Sequence, residues 1–432
     1  MTTRSRPETP IQPDIARGSE TAAHAIIPEI RVPTALTLGA LIGGLVLGLA
    51  LGDGASGGVL ALVLGKLGNL WLRALQVTIV PLVVSLLVIG VVQSVAAANA
   101  GALARRTLLM IFGLLAAATA MAALVTPLLL EAFPIPAAAA QALLAARDTT
   151  GPVPSLLDFF DSLVPANVLA AAAADAMLPL ILFTAVFALA ITRLAAPLRQ
   201  ALFDFFAGIA GAMMVVIGWV LKIAPVGVFG LAFTVAVNSG SDAIAALGHY
   251  ILSVVAVGSV VLIGGYAMAV VGARLRLGEF ARAVLPAQSL ALSTQSSLAC
   301  LPAMIEASRG LKVRTSTAEL VLPLAVALFR VTGPAMNLAV ALYVAKLAGM
   351  ALTPALLMVG FAVAFCTTIG SVSLPGSISF IAAIGPICIA AGIPIAPLGL
   401  LVAVEMLPDL MRTLGNVTMD VALTATIDRR TR

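Results

Sequence analysis

From residue 34 onward the chain runs in long apolar stretches separated by short polar ones. Roughly 20 helical residues cross a 30 Å hydrocarbon core, so these stretches predict spans. They lie near 34–52, 70–97, 104–132, 164–194, 200–235, 248–273, 316–348 and 396–427. Two further stretches, 277–308 and 353–393, are apolar but cut near their middles by Ser, Thr, Gly and Pro. Each is too broken for one crossing and too apolar for a loop. Irregular backbone survives at membrane depth only where protein or a water-filled cavity surrounds it, so both read as helical hairpins whose tips dip inward. The pattern predicts an all-α polytopic membrane protein of eight transmembrane helices and two re-entrant helical hairpins. Paired interrupted segments also point to a transport site.

Composition agrees with the pattern. Only 10% of the 432 residues are charged and 61% are apolar, against about 25% charged in soluble domains. Cys300, Cys366 and Cys388 lie in apolar runs without short Cys or His spacing, which argues against a structural metal or redox pair. A net charge of +5 is modest and gives no reason to expect nucleic acid. Its distribution says more. Arg105 and Arg106, Arg193 and Arg199, Arg274, Arg276 and Arg282, Arg309, Lys312 and Arg314, and Arg429, Arg430 and Arg432 fall on alternate sides of the spans, predicted cytoplasmic by the positive-inside bias. Residues 1–33 are polar and Pro-rich with no signal-peptide core and read as a cytoplasmic tail, as do 428–432. The expected location is the cell inner (plasma) membrane with both termini inside, the first hairpin entering from the cytoplasm and the second from outside.

The last span carries the clearest chemistry. Glu405, Asp409, Arg412, Asn416 and Asp420 stand at helical spacing, within a sector of about 80° at 100° per residue. Charges at membrane depth cost at least about 2.5 kcal/mol each and normally face the bundle, marking a pathway. A packing-only alternative is a buried ladder of Asp409 with Arg412; Thr413 and Asn416, neutral polar groups beside the pair, favour a site. Glu405, with Pro408 close behind, is expected near the outer interface. In the first hairpin, Ser293, Thr294, Gln295, Ser296 and Ser297 precede Leu301 and Pro302, a cluster able to bind a carboxylate or to form an ordinary Ser-rich turn. In the second, Thr367–Gly376 holds Gly and Pro for a sharp reversal, with carbonyls able to coordinate a cation or open as a lid.

The segments APVGVFGLA at 224–232, TQSSLACLP at 294–302, TIGSVSLPG at 368–376 and DLMRTLGNVTMD at 409–420 resemble the dicarboxylate/amino-acid:cation symporter family, the glutamate-transporter fold, across nearly all of 34–427. The resemblance implies a homotrimer embedded in lipid. It also implies a scaffold of 34–103 and 136–235, and a transport domain of 104–135 and 236–427 that moves like an elevator. It implies that Arg412 binds a substrate side-chain carboxylate and Asp409 its α-amino group, and that Ser296 and Ser297 are the first-hairpin serines, of which Ser297 contacts the α-carboxylate. Thr413 and Asn416 would be further substrate contacts, and Asp420 a sodium ligand. Thr368, Ile369, Ser371 and Gly376 fall where the lid contributes cation and substrate contacts. Retention of both Asp409 and Arg412 favours glutamate or aspartate, with a C4-dicarboxylate as the alternative; bidentate Arg–carboxylate pairing gives the preference a physical basis. No cofactor is expected, and the coupling ion is sodium or a proton.

One departure bears on that ion. Where the family carries an Asn-Met-Asp-Gly-Thr unwinding, ungapped alignment places Phe329, Arg330, Val331, Thr332 and Gly333. The helix should still break, because Pro334 cannot donate to the Arg330 carbonyl. Arg330 then either pairs with Asp420 in place of a bound sodium, with Thr332 beside it, or snorkels to a cytoplasm-facing cavity. Gln295 and Leu298 also depart from the family, the latter replacing a usual serine. Trp71, Trp219, Tyr250 and Tyr343 read as interface belts or packing, His249 as interfacial, and Asp175 as a scaffold residue. An enzyme is not expected: neither histidine lies near a midplane serine, and Gly-x-Gly-Asp and Walker-type motifs are absent. A sensory or purely structural protein would not need Asp409 and Arg412 at depth.

Overall fold

The computed structural model describes residues 34–51, 55–99, 101–136, 165–174, 176–239, 242–369 and 376–431. Among them there is no strand. The first helices are α1 (Thr34–Leu51), α2 (Ala55–Gln76), α3 (Ile79–Asn99), α4 (Ala102–Ala132), α5 (Val168–Ala173), α6 (Met177–Ile191), α7 (Ala196–Lys222), α8 (Ala224–Ser239) and α9 (Asp242–Ala267), the last closing in a π-helical turn at Met268–Gly272. The others are α10 (Leu277–Thr294), α11 (Leu301–Gly310), α12 (Thr315–Leu328), α13 (Thr332–Leu347), α14 (Pro354–Ile369), α15 (Gly376–Ala390), α16 (Leu398–Leu401) and α17 (Met406–Thr431). Among the described residues five stretches are long and apolar enough to cross a membrane, Gly58–Asn99, Ala102–Ala132, Ala196–Lys222, Ile244–Gly272 and Thr315–Leu347. Leu36, Val46, Leu62, Leu124, Trp219 and Val271 are exposed. Such an apolar surface suits lipid and would be a liability in water.

Some expected boundaries change. The second span begins at Ala55 rather than near 70 and bends at Val77–Thr78, because Pro81 has no N–H to offer the Val77 carbonyl. The stretch 200–235 is two helices parted at Ile223, two residues before Pro225. Asp175 lies outside the described residues.

Helix α8 packs on α1 and α2, α3 against α6 and α7, α4 against α13, and α9 against α17. Glycine sets the closest of these approaches. A Cβ on Gly44 would stand 2.7 Å from the Phe229 carbonyl oxygen, and one on Gly48 2.7 Å from that of Phe233, so the GxxxG pair of α1 lets α8 touch backbone to backbone. A separate apolar cluster joins α10, α11 and α12 to the face of α17 bearing Val417, Val421 and Ala425. Helix α13 is buried along nearly its whole length. Trp71 and Tyr343 prove to be packing residues: Trp71 is buried with Nε1 donating to the Val220 carbonyl at 3.0 Å, and Tyr343 meets Tyr250 edge to face.

Candidate functional site

Glu405 opens α17, its carbonyl accepting the Asp409 N–H at 2.9 Å. Seven residues on, Arg412 lies back along the same face. Its Nε donates to Glu405 Oε1 at 3.0 Å, and Nη1 to Asn337 Oδ1 of α13. Nη2 stands 2.8 Å from Glu405 Oε1, an ion-pair contact too bent for a hydrogen bond, so this buried nitrogen has no hydrogen-bond acceptor among the described residues. The other oxygen, Oε2, accepts the Tyr250 hydroxyl of α9 at 3.2 Å. Glu405 is 2% exposed, and it, not the Asp409 of the packing ladder, is the arginine's ionic partner. Residues seven apart diverge by only about 20°, so Glu405 and Arg412 share a face and two long side chains close the two-turn rise; Asp409 is within helical reach as well, and Tyr250 on Glu405 and Asn337 on Arg412 hold the pair as found. Asp409 is half-buried and makes no ion pair among the described residues.

The second feature is the interruption between α12 and α13 at Phe329–Val331, as Pro334 demands; the Arg330 carbonyl takes the Gly333 N–H at 2.8 Å instead. Helix α13 therefore starts with open N–H groups. Asn416 supplies the cap from α17: its Oδ1 accepts from the Thr332 N–H at 3.0 Å and the Thr332 hydroxyl at 2.9 Å, while that hydroxyl also reaches the Arg412 carbonyl at 3.1 Å. Gly415 makes this contact possible, since a Cβ there would lie 2.6 Å from Thr332 Cγ2. Thr413 is buried, its hydroxyl bonded to the Asp409 carbonyl at 3.1 Å.

Asp420, fully buried one turn beyond Asn416, has no hydrogen-bond partner on either carboxylate oxygen among the described residues. Arg330 in the helix break acts electrostatically on both Asp420 and Asp409, and Arg412 acts against it. Five charged groups thus line the stretch of α17 that passes the break, carboxylates from Glu405, Asp409 and Asp420 and guanidiniums from Arg330 and Arg412, with Glu405 and Asp420 about four turns apart. Buried orphan polar atoms are rare in proteins and call for an explanation, and a charge at depth costs more still.

The two interrupted segments differ in how much of them is described. Helices α10 and α11 flank a break at Gln295–Cys300, and Gln295 takes the left-handed conformation with φ 52°. Ser297 is buried, the Ser296 hydroxyl accepts the Ala299 N–H at 3.3 Å within the turn, and Cys300 feels the Asp420 charge. Gln288 ties α10 down by donating to Thr418 of α17 at 2.8 Å and to Tyr266 at 3.0 Å. In the second segment Thr368 and Ile369 end α14 and Gly376 begins α15; Ser371 lies outside the described residues. A Cβ on Gly333 would meet Arg330 and Thr368 alike at 3.7 Å, which brings the end of α14 to the helix break.

Sequence reasoning missed Asn337, Tyr250 and Gln288. Asn337 did leave a trace, being the one amide in an otherwise apolar run of α13. Tyr250 left none, because its partner is 155 residues away.

Apolar helices interrupted around a buried cluster of charges define a secondary transporter of the membrane. The chain belongs to the Sodium:dicarboxylate symporter family, whose profile matches residues 34–430. It is a transporter and not an enzyme. It is 28% identical to a proton/glutamate-aspartate symporter of Escherichia coli over 371 residues, 82% of each chain. Identity is 27% over 391 residues to a proton/sodium-glutamate symport protein of Geobacillus stearothermophilus, covering 87% of this chain and 89% of the relative. A C4-dicarboxylate transport protein of Leptothrix cholodnii is 25% identical over 276 residues, 63% of this chain and 61% of the relative.

Proposed function

We infer that this protein imports an acidic amino acid, glutamate or aspartate, across the cell inner membrane at the expense of a cation gradient. The observation that carries this reading is the buried Arg412 Nη2, held by an ion-pair contact to Glu405 and without a hydrogen-bond acceptor among the described residues, set one turn from half-buried Asp409. A guanidinium with an unspent N–H suits a carboxylate, and a nearby carboxylate suits an ammonium. Ser296, Ser297, Thr368, Gly376, Thr413 and Asn416 complete the substrate set in this reading. The architecture is eight spans and two hairpins in a homotrimer with both termini cytoplasmic, the transport domain of 104–135 and 236–427 sliding past the rest. Relatives named for C4-dicarboxylates keep a second reading in play, in which the ligand has two carboxylates and no ammonium.

Arg330 bears on the ion. It acts on Asp420 and Asp409 from the helix break, and we read it as a built-in counter-cation that lessens the need for sodium around Thr332, Thr368, Ile369, Ser371, Asn416 and Asp420. Uptake of aspartate, glutamate, succinate and serine by reconstituted protein, with and without sodium, tests both points. The acidic amino acids should win, with weak sodium dependence. In Asp409→Asn, amino-acid uptake should vanish; if succinate uptake dominates in the wild type and survives the substitution, the dicarboxylate reading takes over. Steep, strict sodium dependence would overturn the role given to Arg330.

A further inference from the structure

We propose that Glu405 is the proton carrier of the transport cycle, and that it works by competing with the substrate for Arg412. The inference rests on the reading of Arg412 as the substrate's carboxylate anchor. In the structure that anchor is already engaged: Nε and Nη2 both lie within 3.0 Å of the single oxygen Glu405 Oε1. A substrate carboxylate approaching the same two nitrogens meets a second negative charge at contact distance. Like charges so placed in a low-dielectric site repel strongly, and both cannot hold the same guanidinium edge.

A proton on Glu405 removes the conflict. It joins Oε1, the ion pair becomes a neutral contact, and Nε and Nη2 are released to the incoming carboxylate. Tyr250 then keeps the neutral acid in place through Oε2, and Asn337 keeps Nη1. When the substrate leaves, Arg412 recaptures the carboxylate and the proton departs. Substrate and proton therefore bind together and leave together, which is the requirement for symport; the linkage is reciprocal by thermodynamic necessity.

The surroundings of Glu405 leave this role to it. Tyr250 faces it from α9, Arg412 and Asp409 act on it from α17, and Tyr343 of α13 abuts the Tyr250 ring; α16 brings no titratable group. Asp420 lies close to four turns away, on the far side of the arginine, where Arg330 balances it. Charge accounting agrees. Three carboxylates against two guanidiniums leave the empty cluster at minus one. An acidic amino acid adds minus one and a single proton removes it, so the loaded site carries the same charge as the empty one.

The test uses the full chain in liposomes with labelled aspartate and equal sodium on both sides. One proton per substrate allows accumulation of up to about tenfold for each pH unit of inward proton gradient. Wild-type protein and Glu405→Asp, which keeps the acid, should accumulate aspartate under that gradient. Glu405→Gln should lose accumulation yet still exchange internal for external aspartate. Gradient-driven accumulation by Glu405→Gln would overturn the proposal. Should that variant not fold, the wild type decides alone: aspartate added to weakly buffered protein should draw protons from solution, and a lack of proton uptake on binding overturns the proposal. Failure of the underlying reading looks different. If the wild type exchanges succinate but not aspartate, the substrate is wrong, and the same gradient experiment with succinate judges Glu405; if it exchanges neither, both inferences fall.

Discussion

Arg412 has three nitrogens near acceptors and hydrogen-bonds through two of them, so its neighbours decide what it can still hold. Asn337 fixes Nη1 from a helix with almost no freedom to move. Hydrogen bonds to charged groups are worth about 1.5–3 kcal/mol, so Asn337→Leu, which leaves Nη1 free to turn from its present aim, is expected to raise KM for the amino acid roughly tenfold or more and to lower protein stability as well. Initial-rate uptake over a range of substrate concentrations measures it; an unchanged KM would show that Nη1 is held by other means. Much at this scale was legible in advance. The stripe from Glu405 to Asp420 follows helical periodicity, which needs no knowledge of the fold. The pairing inside it was not legible, because choosing Glu405 over Asp409 depends on where α17 begins and on Tyr250 and Asn337, whose partners are 155 and 75 residues away in sequence.

Among the elements, the junction of α13 with α17 holds the site together. Thr332 bonds to Asn416 and to the Arg412 carbonyl across a gap that only a glycine at 415 leaves open. Gly415→Ala is expected to push the two helices apart and cost about 1–3 kcal/mol, as overpacking does elsewhere. Thr332→Ser removes the methyl that would be struck and keeps the hydroxyl, so the double variant should recover most of the loss in thermal stability and uptake. Absence of coupling between the two substitutions would mean that the contact is not where the strain lies. The break at 329–331 could be read from Pro334, since a missing N–H is a local fact. By contrast, the division of 200–235 at Ile223 had an equally plain signal in Pro225 that hydropathy masked, because both halves are apolar. The first hairpin's interruption was visible as a polar cluster, and its anchoring through Gln288 to Thr418 was not, since that bond spans 130 residues.

At the level of the molecule, close packing of α1 on α8 through Gly44 and Gly48 is a stability device remote from the charges. Gly48→Leu is expected to lower the melting temperature of detergent-purified protein by several degrees and to leave KM for substrate unchanged in whatever fraction folds. A change in KM would link this helix pair to the site. The all-helical class, the multi-pass membrane setting and the break in the first interrupted segment followed from hydropathy and its polar clusters, because lipid forbids unpaired backbone and so leaves few architectures. What hydropathy could not supply is the polar network that gives those helices one arrangement around the charges. The central claim is that Arg412 anchors a carboxylate of the transported molecule. Counterflow of labelled aspartate by purified protein in liposomes, comparing wild type with Arg412→Gln, tests it most directly. The account predicts that wild type exchanges aspartate and that Arg412→Gln, still folded, loses aspartate exchange by at least about a hundredfold, the scale of a lost charged contact. Undiminished aspartate exchange by Arg412→Gln would contradict it.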